Sequence, residues 1–383
     1  MSAIAVTRSL GSTKEPTSRL LAPDAFRGLI IVLMAWDHAN VFIAQKHSGG
    51  EHWGGAFPAY DDALSFLARL VTHPAAPGFA FLVGVGMVLF AQSRRGRGWS
   101  EWEIIRHFLI RGSILIALQL LVVNQAWRLG PDPFPGIYQG VLVALGGGMI
   151  LGSFLLRVRP VYLLILSAIL FVGMEVTHPD PSEWGHIFGQ PLGLIFGYSG
   201  GDASFWSNYP ILPWLELVVF GMVFGHWLAT DRRRAYRRAL VLGVTCLAAF
   251  VLIRAADGFG NIRPRAGDSW IDFLNVVKYP PAMTFTLLAM GFNLIVLWSF
   301  AWVADHRQQI LSAPAVFGRT PLFFYILHLF LYAFIGWWLT PGGTSIPAMV
   351  PYWLLGLIVL FPLCVWFADF KQRAPQNAVL RFL

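Results

Sequence analysis

The sequence predicts an all-α, polytopic integral membrane bundle of about ten transmembrane helices, with both termini in the cytoplasm. Three observations carry that expectation: composition, the spacing of apolar runs and the distribution of positive charge. Of 383 residues, 13% are charged, 56% hydrophobic and 15% aromatic, and the mean hydropathy is +0.60. A soluble globular protein carries about 25% charged residues. One soluble core cannot hide this much apolar surface, so lipid must solvate much of it. Composition also excludes intrinsic disorder and a secreted disulfide scaffold. The two cysteines, Cys246 and Cys364, both sit in apolar runs and say nothing of redox compartment.

A span needs about 20 mostly apolar residues. Ten stretches qualify, with loose boundaries: 28–45, 74–92, 107–125, 137–156, 160–177, 210–229, 239–256, 282–304, 320–339 and 350–368. Positive charge tests the count, because cytoplasmic loops are enriched in Lys and Arg. Alternate connections, starting with the N-terminal tail, hold 21 of the 28 Lys and Arg, from Arg8 through the Arg232–Arg238 cluster to Arg381. The opposite connections hold six (Lys46, Arg69, Arg128, Arg263, Arg265 and Lys278), and Arg254 lies near the end of the seventh span. One missed span would scramble this alternation. Topology therefore explains the net charge of +8, and no nucleic-acid partner is expected.

Residues 1–20 have no signal-peptide pattern and read as a disordered cytoplasmic tail. Residues 21–370 read as a single transmembrane domain and 371–383 as a short cytoplasmic tail. The longest loops, 46–73, 178–209 and 257–281, all fall on the non-cytoplasmic face, where function is expected to concentrate. The second lacks Lys and Arg but contains Trp184, His186, Asp202, Trp206 and Tyr209; its aromatic residues serve equally well as interfacial anchors.

Ionisable groups at membrane depth are costly and normally face a cavity, a partner or a pathway. Asp37 and His38, in the outer half of the first span, supply a carboxylate and an imidazole, the components of an oriented general base. Adjacent helical residues point about 100° apart, however, so Asp37 can instead pair with another helix while His38 bonds a backbone carbonyl. Arg69 and His73 are four apart and can share a face, with Pro74 and Pro77 disturbing the backbone after them. Arg69 can keep His73 neutral or grip an anion; a plain helix end with a satisfied histidine fits the same residues. Glu216, His226 and Arg254 complete the polar groups of the middle spans. Tyr325 and His328 share a face of the ninth span, with His328 expected in its cytoplasmic half. Arg319, just ahead, offers a cation to phosphate, although Thr320-Pro321 is also an ordinary helix start. Lys278-Tyr279-Pro280-Pro281 is either part of a site or a helix entry with a snorkelling lysine. Gly84-Val-Gly86 and Gly146-Gly-Gly148 read as close helix packing. No Cys/His spacing fits a structural zinc site, and no metal is expected.

At these residues the chain resembles a known family. Asp24-Ala-Phe-Arg27-Gly28 leading to Trp36-Asp37-His38 is similar to the first span of the heparan-α-glucosaminide N-acetyltransferase catalytic domain, above all in that family's uncharacterised bacterial membrane relatives. Arg69…Thr72-His73…Pro77-Gly-Phe79, Tyr209-Pro210…Pro213-Trp214, Lys278-Tyr-Pro-Pro281 and Pro321…Tyr325…His328 resemble four further blocks in the right order. The resemblance spans about residues 19–370. It implies a transmembrane acyltransferase in which cytoplasmic acetyl-CoA donates an acetyl group to a sugar on the far side. In the lysosomal enzyme the catalytic histidine follows the first span of this domain. The corresponding loop here offers His47 and His52, and neither aligns firmly. His38 stands where another large group of similar membrane acyltransferases keeps an essential histidine. The large lumenal domain of the lysosomal enzyme has no counterpart ahead of Asp24, so heparan fragments are not the expected acceptor.

The sequence reading is therefore an acyl-CoA-dependent O- or N-acyltransferase acting on an envelope glycan in a bacterial inner membrane, with a homodimer left open. His38 is the expected base or nucleophile and Asp37 its structural partner, with His73 and Arg69 in the same cavity. Arg27, Lys278, Arg319, Tyr325 and His328 are expected along the acyl-CoA path. A transporter with a His/Asp proton relay is the main alternative, disfavoured by the lack of detectable inverted repeats. A non-enzymatic scaffold is the third. The topology predicts that a fluorescent protein fused to the C-terminus will fold and glow. Alkaline phosphatase inserted in the 257–281 loop will be active, and the reverse pattern would refute the orientation.

Overall fold

A computed structural model describes residues 20–49, 51–54, 57–60, 62–178 and 192–373. The expected terminal tails, apart from Leu20 and residues 371–373, and Trp184 and His186 lie outside the described residues. The expected bundle is present. Its helices are α1 (Leu21–Ala39, continued by a π-helical turn, Asn40–Ala44), α2 (Ala63–Leu70), α3 (Ala75–Arg95) and α4 (Glu101–Leu118). After a π-helical turn at Gln119–Val123 follow α5 (Asn124–Arg128), α6 (Val141–Phe154), α7 (Pro160–Val176), α8 (Leu192–Phe196), α9 (Ile211–Thr230) and α10 (Arg232–Ala256). The rest are α11 (Trp270–Leu274), α12 (Met283–Arg307), α13 (Ser312–Arg319), α14 (Pro321–Leu339) and α15 (Ile346–Arg373). Eight helical runs among the described residues are long and apolar enough to cross a membrane; α6 and α7 are apolar but shorter, at 14 and 17 residues.

Local chemistry sets many of these boundaries. Ser100 and Glu103 form a reciprocal capping box that starts α4, and Asp231 accepts the Arg234 N–H at the start of α10. Pro160 and Pro321 begin their helices, where a missing N–H loses no bond. The Arg69–His73 segment does not form one continuous helix. α2 ends at Leu70, a turn carries His73 and Pro74, and α3 starts at Ala75.

Two close crossings define the centre of the bundle. A Cβ on Gly28 would lie 1.8 Å from the Pro314 carbonyl oxygen, and one on Gly318 would lie 1.8 Å from that of Asp24. The backbones of α1 and α13 therefore touch. A similar pair, Gly84 against Val218 and Gly221 against Phe81, joins α3 to α9. From Gly318 onward, α14 runs alongside and parallel to α1, since Gly336 abuts Phe42 near the other end. This parallel run puts His328 level with His38, rather than in a cytoplasmic half apart from it.

The loops at the end of the bundle that holds His38, expected from the charge pattern to be the outer end, fold down onto the helices. A small sheet with order β1 (Ile137–Gln139), β3 (Phe205–Ser207), β2 (Gly200–Gly201) joins two of them, β1 parallel and β2 antiparallel to β3. Arg254, only 1% exposed, donates to the Phe273, Asp272 and Asn275 carbonyls at 2.9, 2.8 and 2.7 Å, and to Asn261 Oδ1 at 2.8 Å. Glu175 accepts the Gly260, Ile262 and Met283 N–H groups. Together they organise the 257–281 loop, whose Lys278 and Tyr279 N–H groups donate to the Glu51 carbonyl at 3.0 and 3.2 Å. The buried Arg254 and the half-buried Glu175 each satisfy several backbone groups. Gly318→Val should lower stability by about 1–3 kcal/mol, or prevent folding, because the helix backbones cannot move apart without loss of packing. Gly173→Ala, with open space around it, should melt within a degree or two of wild type in detergent. Equal melting temperatures for the two variants would contradict the crossing.

Candidate functional site

Asp37 and His38 are neighbours in α1 that serve different partners, as the 100° helical step requires. Asp37 turns toward α2. There the Arg69 guanidinium donates from Nη1 to Asp37 Oδ1 at 2.5 Å and from Nε to Glu51 Oε1 at 2.7 Å, with Nη2 closing a second bond to Glu51 Oε2. The Thr72 hydroxyl lies 2.9 Å from Asp37 Oδ1, and the Trp36 indole N–H donates to the Ala68 carbonyl at 2.9 Å. His73 uses Nδ1 on the Arg69 carbonyl at 3.1 Å and places Nε2 3.9 Å from Glu51. The planar guanidinium fork suits this arrangement, since it can grip one carboxylate bidentately while reaching another.

Lys278 completes the group as a second buried cation, 3% exposed, facing two carboxylates. Burial and then the Arg69 charge push its amine down to about 8, against the pull of Asp37 and Glu51. Burial alone would raise the Glu51 carboxyl, but Arg69, His73 and Lys278 outweigh it and hold Glu51 at about 2. His47 lies with Nε2 3.6 Å from Asp37 Oδ1. Burial and the Arg69 charge hold its ring at about 4, so it is neutral at pH 7.

His38 turns toward α14. Its Nδ1 lies 2.7 Å from His328 Nε2; with the ring centroids 5.0 Å apart and the planes within 20° of each other, the two rings meet end to end along that bond. Trp127 and Tyr325 stand edge-on to the His38 ring, at 5.5 and 6.1 Å.

Two cavities flank this centre. An outer one of about 450 Å³ is walled by Asp37, His38, His47, Glu51 and His52, with Trp127, Tyr138, Trp206, Tyr209 and Tyr279 as aromatic surfaces. An inner one of about 300 Å³ is lined by apolar residues of α3, α4 and α6 and bordered by Arg27, Arg111, Arg319 and Lys371. Val141 and Tyr325 line both, so the cavities adjoin there. Arg27 is anchored by Asp24 Oδ1 at 3.2 Å and the Gly318 carbonyl at 3.0 Å. Arg111 Nε is buried without a hydrogen-bond partner among the described residues.

Of the residues singled out from sequence, Asp37 and His38 line the outer cavity, and Arg69 and His73 lie in the ion network behind it. Arg27, Arg319 and Tyr325 line the inner cavity. Lys278 and His328, expected along the acyl-CoA path, line neither: one joins the ion network and the other pairs with His38. Glu51, Arg111, Lys371, Trp127 and Tyr138 were not singled out. Glu51 sits in an irregular loop and Tyr138 in the three-residue strand β1, too short to show a periodicity, and Arg111 reads as an ordinary topogenic charge until its burial is seen.

Fold and site together define a polytopic integral membrane protein with two adjoining cavities and an ionisable centre on the wall of one of them. The family model for the heparan-alpha-glucosaminide N-acetyltransferase catalytic domain matches residues 19–252, more than half of the chain, and the protein belongs to that family. The heparan-alpha-glucosaminide N-acetyltransferases of Mus musculus and Homo sapiens are each 30% identical, over 134 and 129 residues respectively. Those stretches cover 35% and 33% of this chain but 18% and 17% of the relatives, so less than a fifth of either relative is matched. The family match includes Asp37, His38, Glu51, Arg69 and His73 and stops short of Lys278, Arg319, Tyr325 and His328.

Arg69→Ala should cost about 3–5 kcal/mol, read as a large fall in melting temperature, because it strands the buried Glu51 carboxylate and leaves the half-buried Asp37 without its main partner. Glu51 adds an acid dependence with a definite sign. Its folded value lies below its ordinary 4.5, so its contribution is fully present above pH 4.5 and is lost as pH falls toward about 2. Glu51→Gln should flatten the melting-temperature profile in that window; an unchanged acid limb would contradict the assignment.

Proposed function

We propose that the protein is a membrane-embedded acyltransferase that moves an acetyl or other acyl group from acyl-CoA in the inner cavity to a sugar amine or hydroxyl in the outer cavity. The observation that carries this reading is the pair of chemically different cavities adjoining at Tyr325 and Val141, with His38 on the outer wall beside them. With both termini cytoplasmic, the cavity bordered by Arg27, Arg111, Arg319 and Lys371 opens toward the cytoplasm, where acyl-CoA is made. These four cations suit the phosphates of CoA, and the apolar wall suits its pantetheine arm. Along α1, Arg27 and His38 are eleven residues apart, roughly 16 Å at 1.5 Å per residue, a distance that arm can bridge.

In the reaction, His38 takes the proton from the acceptor N–H or O–H as the acceptor attacks the thioester carbonyl. The Tyr325 hydroxyl, at the boundary of the cavities, is placed to donate to the developing oxyanion. Collapse breaks the C–S bond, and the CoA thiolate recovers the proton from His38. The aromatic walls of the outer cavity, with Asp132 and Asn208, suit a pyranose: rings pack on its C–H faces while polar groups bind its hydroxyls. We place the protein in a bacterial inner membrane, a reading supported by the resemblance of its first span to the family's bacterial membrane relatives; the charge asymmetry sets only the orientation of the helices. A second reading makes His47 the base, favoured by its 3.6 Å approach to Asp37.

Acetyl-CoA turnover with a panel of amino sugars, followed as CoA thiol release, separates the two. His38→Ala should lower kcat by roughly 10²–10⁴-fold with acetyl-CoA affinity retained. His47→Ala should lower it less, and the reverse order would transfer the role to His47. Arg111→Ala should weaken acetyl-CoA binding by about 10–100-fold, the loss of one charge-assisted bond. Unchanged binding, or solute uptake independent of acyl-CoA, would overturn the donor site.

A further inference from the structure

We infer that His328 is a positioning residue that fixes His38 as its Nδ1–H tautomer, leaving His38 Nε2 as the nitrogen with a free lone pair. The inference rests on the proposed acyl transfer for its purpose, and on geometry alone for its chemistry. His328 Nδ1 lies 2.8 Å from the Phe324 carbonyl, one turn earlier in α14. A carbonyl oxygen only accepts, so His328 Nδ1 carries the proton. In a neutral imidazole the other nitrogen is then an acceptor, so His328 Nε2 presents a lone pair to His38. The 2.7 Å bond between the rings has one polarity left: His38 Nδ1–H donates to His328 Nε2. His38 Nε2 has no hydrogen-bond partner among the described residues, and the ring faces the outer cavity.

The arrangement is held by packing. His328 is wholly buried and His38 is 8% exposed, so the packing around both rings holds their orientation. The His328 ring lies nearly parallel to that of Phe324 with centroids 5.0 Å apart and meets the His38 ring end to end, while Tyr332 stands edge-on at 5.9 Å. The parallel run of α1 and α14 brings both backbones to the same level. The chain Phe324 carbonyl, His328, His38 thus does for this base what an orienting carboxylate does elsewhere, by hydrogen-bond polarity without a second charge. Asp37, next in sequence, is committed to Arg69. When His38 gains a proton at Nε2, the imidazolium still donates from Nδ1 to His328 Nε2, which then stabilises the cation.

The test uses the full chain in detergent with ¹⁵N-labelled histidine, reading two-bond nitrogen–proton couplings at neutral pH. The His38 signals are identified by their loss in His38→Gln. Wild type should show His38 as the Nδ1–H tautomer. His328→Met, similar in bulk but without a strong acceptor, should shift His38 toward Nε2–H. His328→Gln, whose side-chain oxygen can reach the former Nε2 position, should retain Nδ1–H. A wild-type Nε2–H tautomer, or an Nδ1–H tautomer that persists in His328→Met, would overturn the inference. If His328→Met does not fold, the wild-type spectrum together with His328→Gln decides. In turnover, His328→Met should lower kcat roughly 10–100-fold at nearly constant KM for acetyl-CoA, with substantial recovery in His328→Gln. A predicted spectrum without any acyl transfer would refute the proposed function and leave the tautomer assignment standing. Recovery by Met as good as by Gln would reduce His328 to packing.

Discussion

The site depends on one buried cation. Arg69 lies almost wholly inside a helical bundle, where an unpaired guanidinium would be strongly disfavoured. It is tolerated because Asp37 and Glu51 meet it directly, and Lys278 offsets the second carboxylate. The four charges come from α1, the loop after it, α2 and the loop before α12. Satisfying Arg69 therefore fixes where the outer loops settle. The Glu51 carbonyl then accepts the Lys278 and Tyr279 N–H groups, and the Trp53 N–H donates to the Tyr279 carbonyl, which brings Tyr279 into the cavity wall.

This division of labour frees His38. Asp37 is held by Arg69 and Thr72, so the neighbouring histidine is not drawn into the ion network and turns to α14 instead. The same helix that supplies His328 also supplies Tyr325, which borders both cavities. The glycine crossing of α1 and α13 keeps the helices close enough for a direct ring-to-ring bond. A larger residue at either glycine would therefore disturb the site as well as the packing.

Much of the fold was legible because lipid imposes a simple code. Apolar runs of fixed length gave ten helices, and alternating charge supported their number. The shorter α6 and the separate α13 were harder to read, because a run of hydrophobic residues does not mark where a helix starts within it. The residues of the centre stood out for a related reason: Asp37, His38, Arg69 and His328 are ionisable groups in apolar surroundings. Their partners were not legible. Arg69 and His73 looked like a helical pair, yet Arg69 reaches 32 positions back to Asp37, and His38 and His328 are 290 positions apart. Lys278 was expected along the acyl-CoA path, or else as a snorkelling lysine, because nothing in its own segment reveals that Arg254 and Glu175 organise the loop containing it.

The central claim is that an acyl group passes from one cavity to the other through the boundary at Tyr325. Vectorial transfer in proteoliposomes tests it most directly. An amino sugar acceptor would be trapped inside and acetyl-labelled CoA supplied outside, counting molecules whose cytoplasmic face is outward. The account predicts labelled acceptor inside sealed vesicles while CoA stays outside. Label that appears only when both substrates share one side, or that accompanies entry of intact acetyl-CoA, would contradict it.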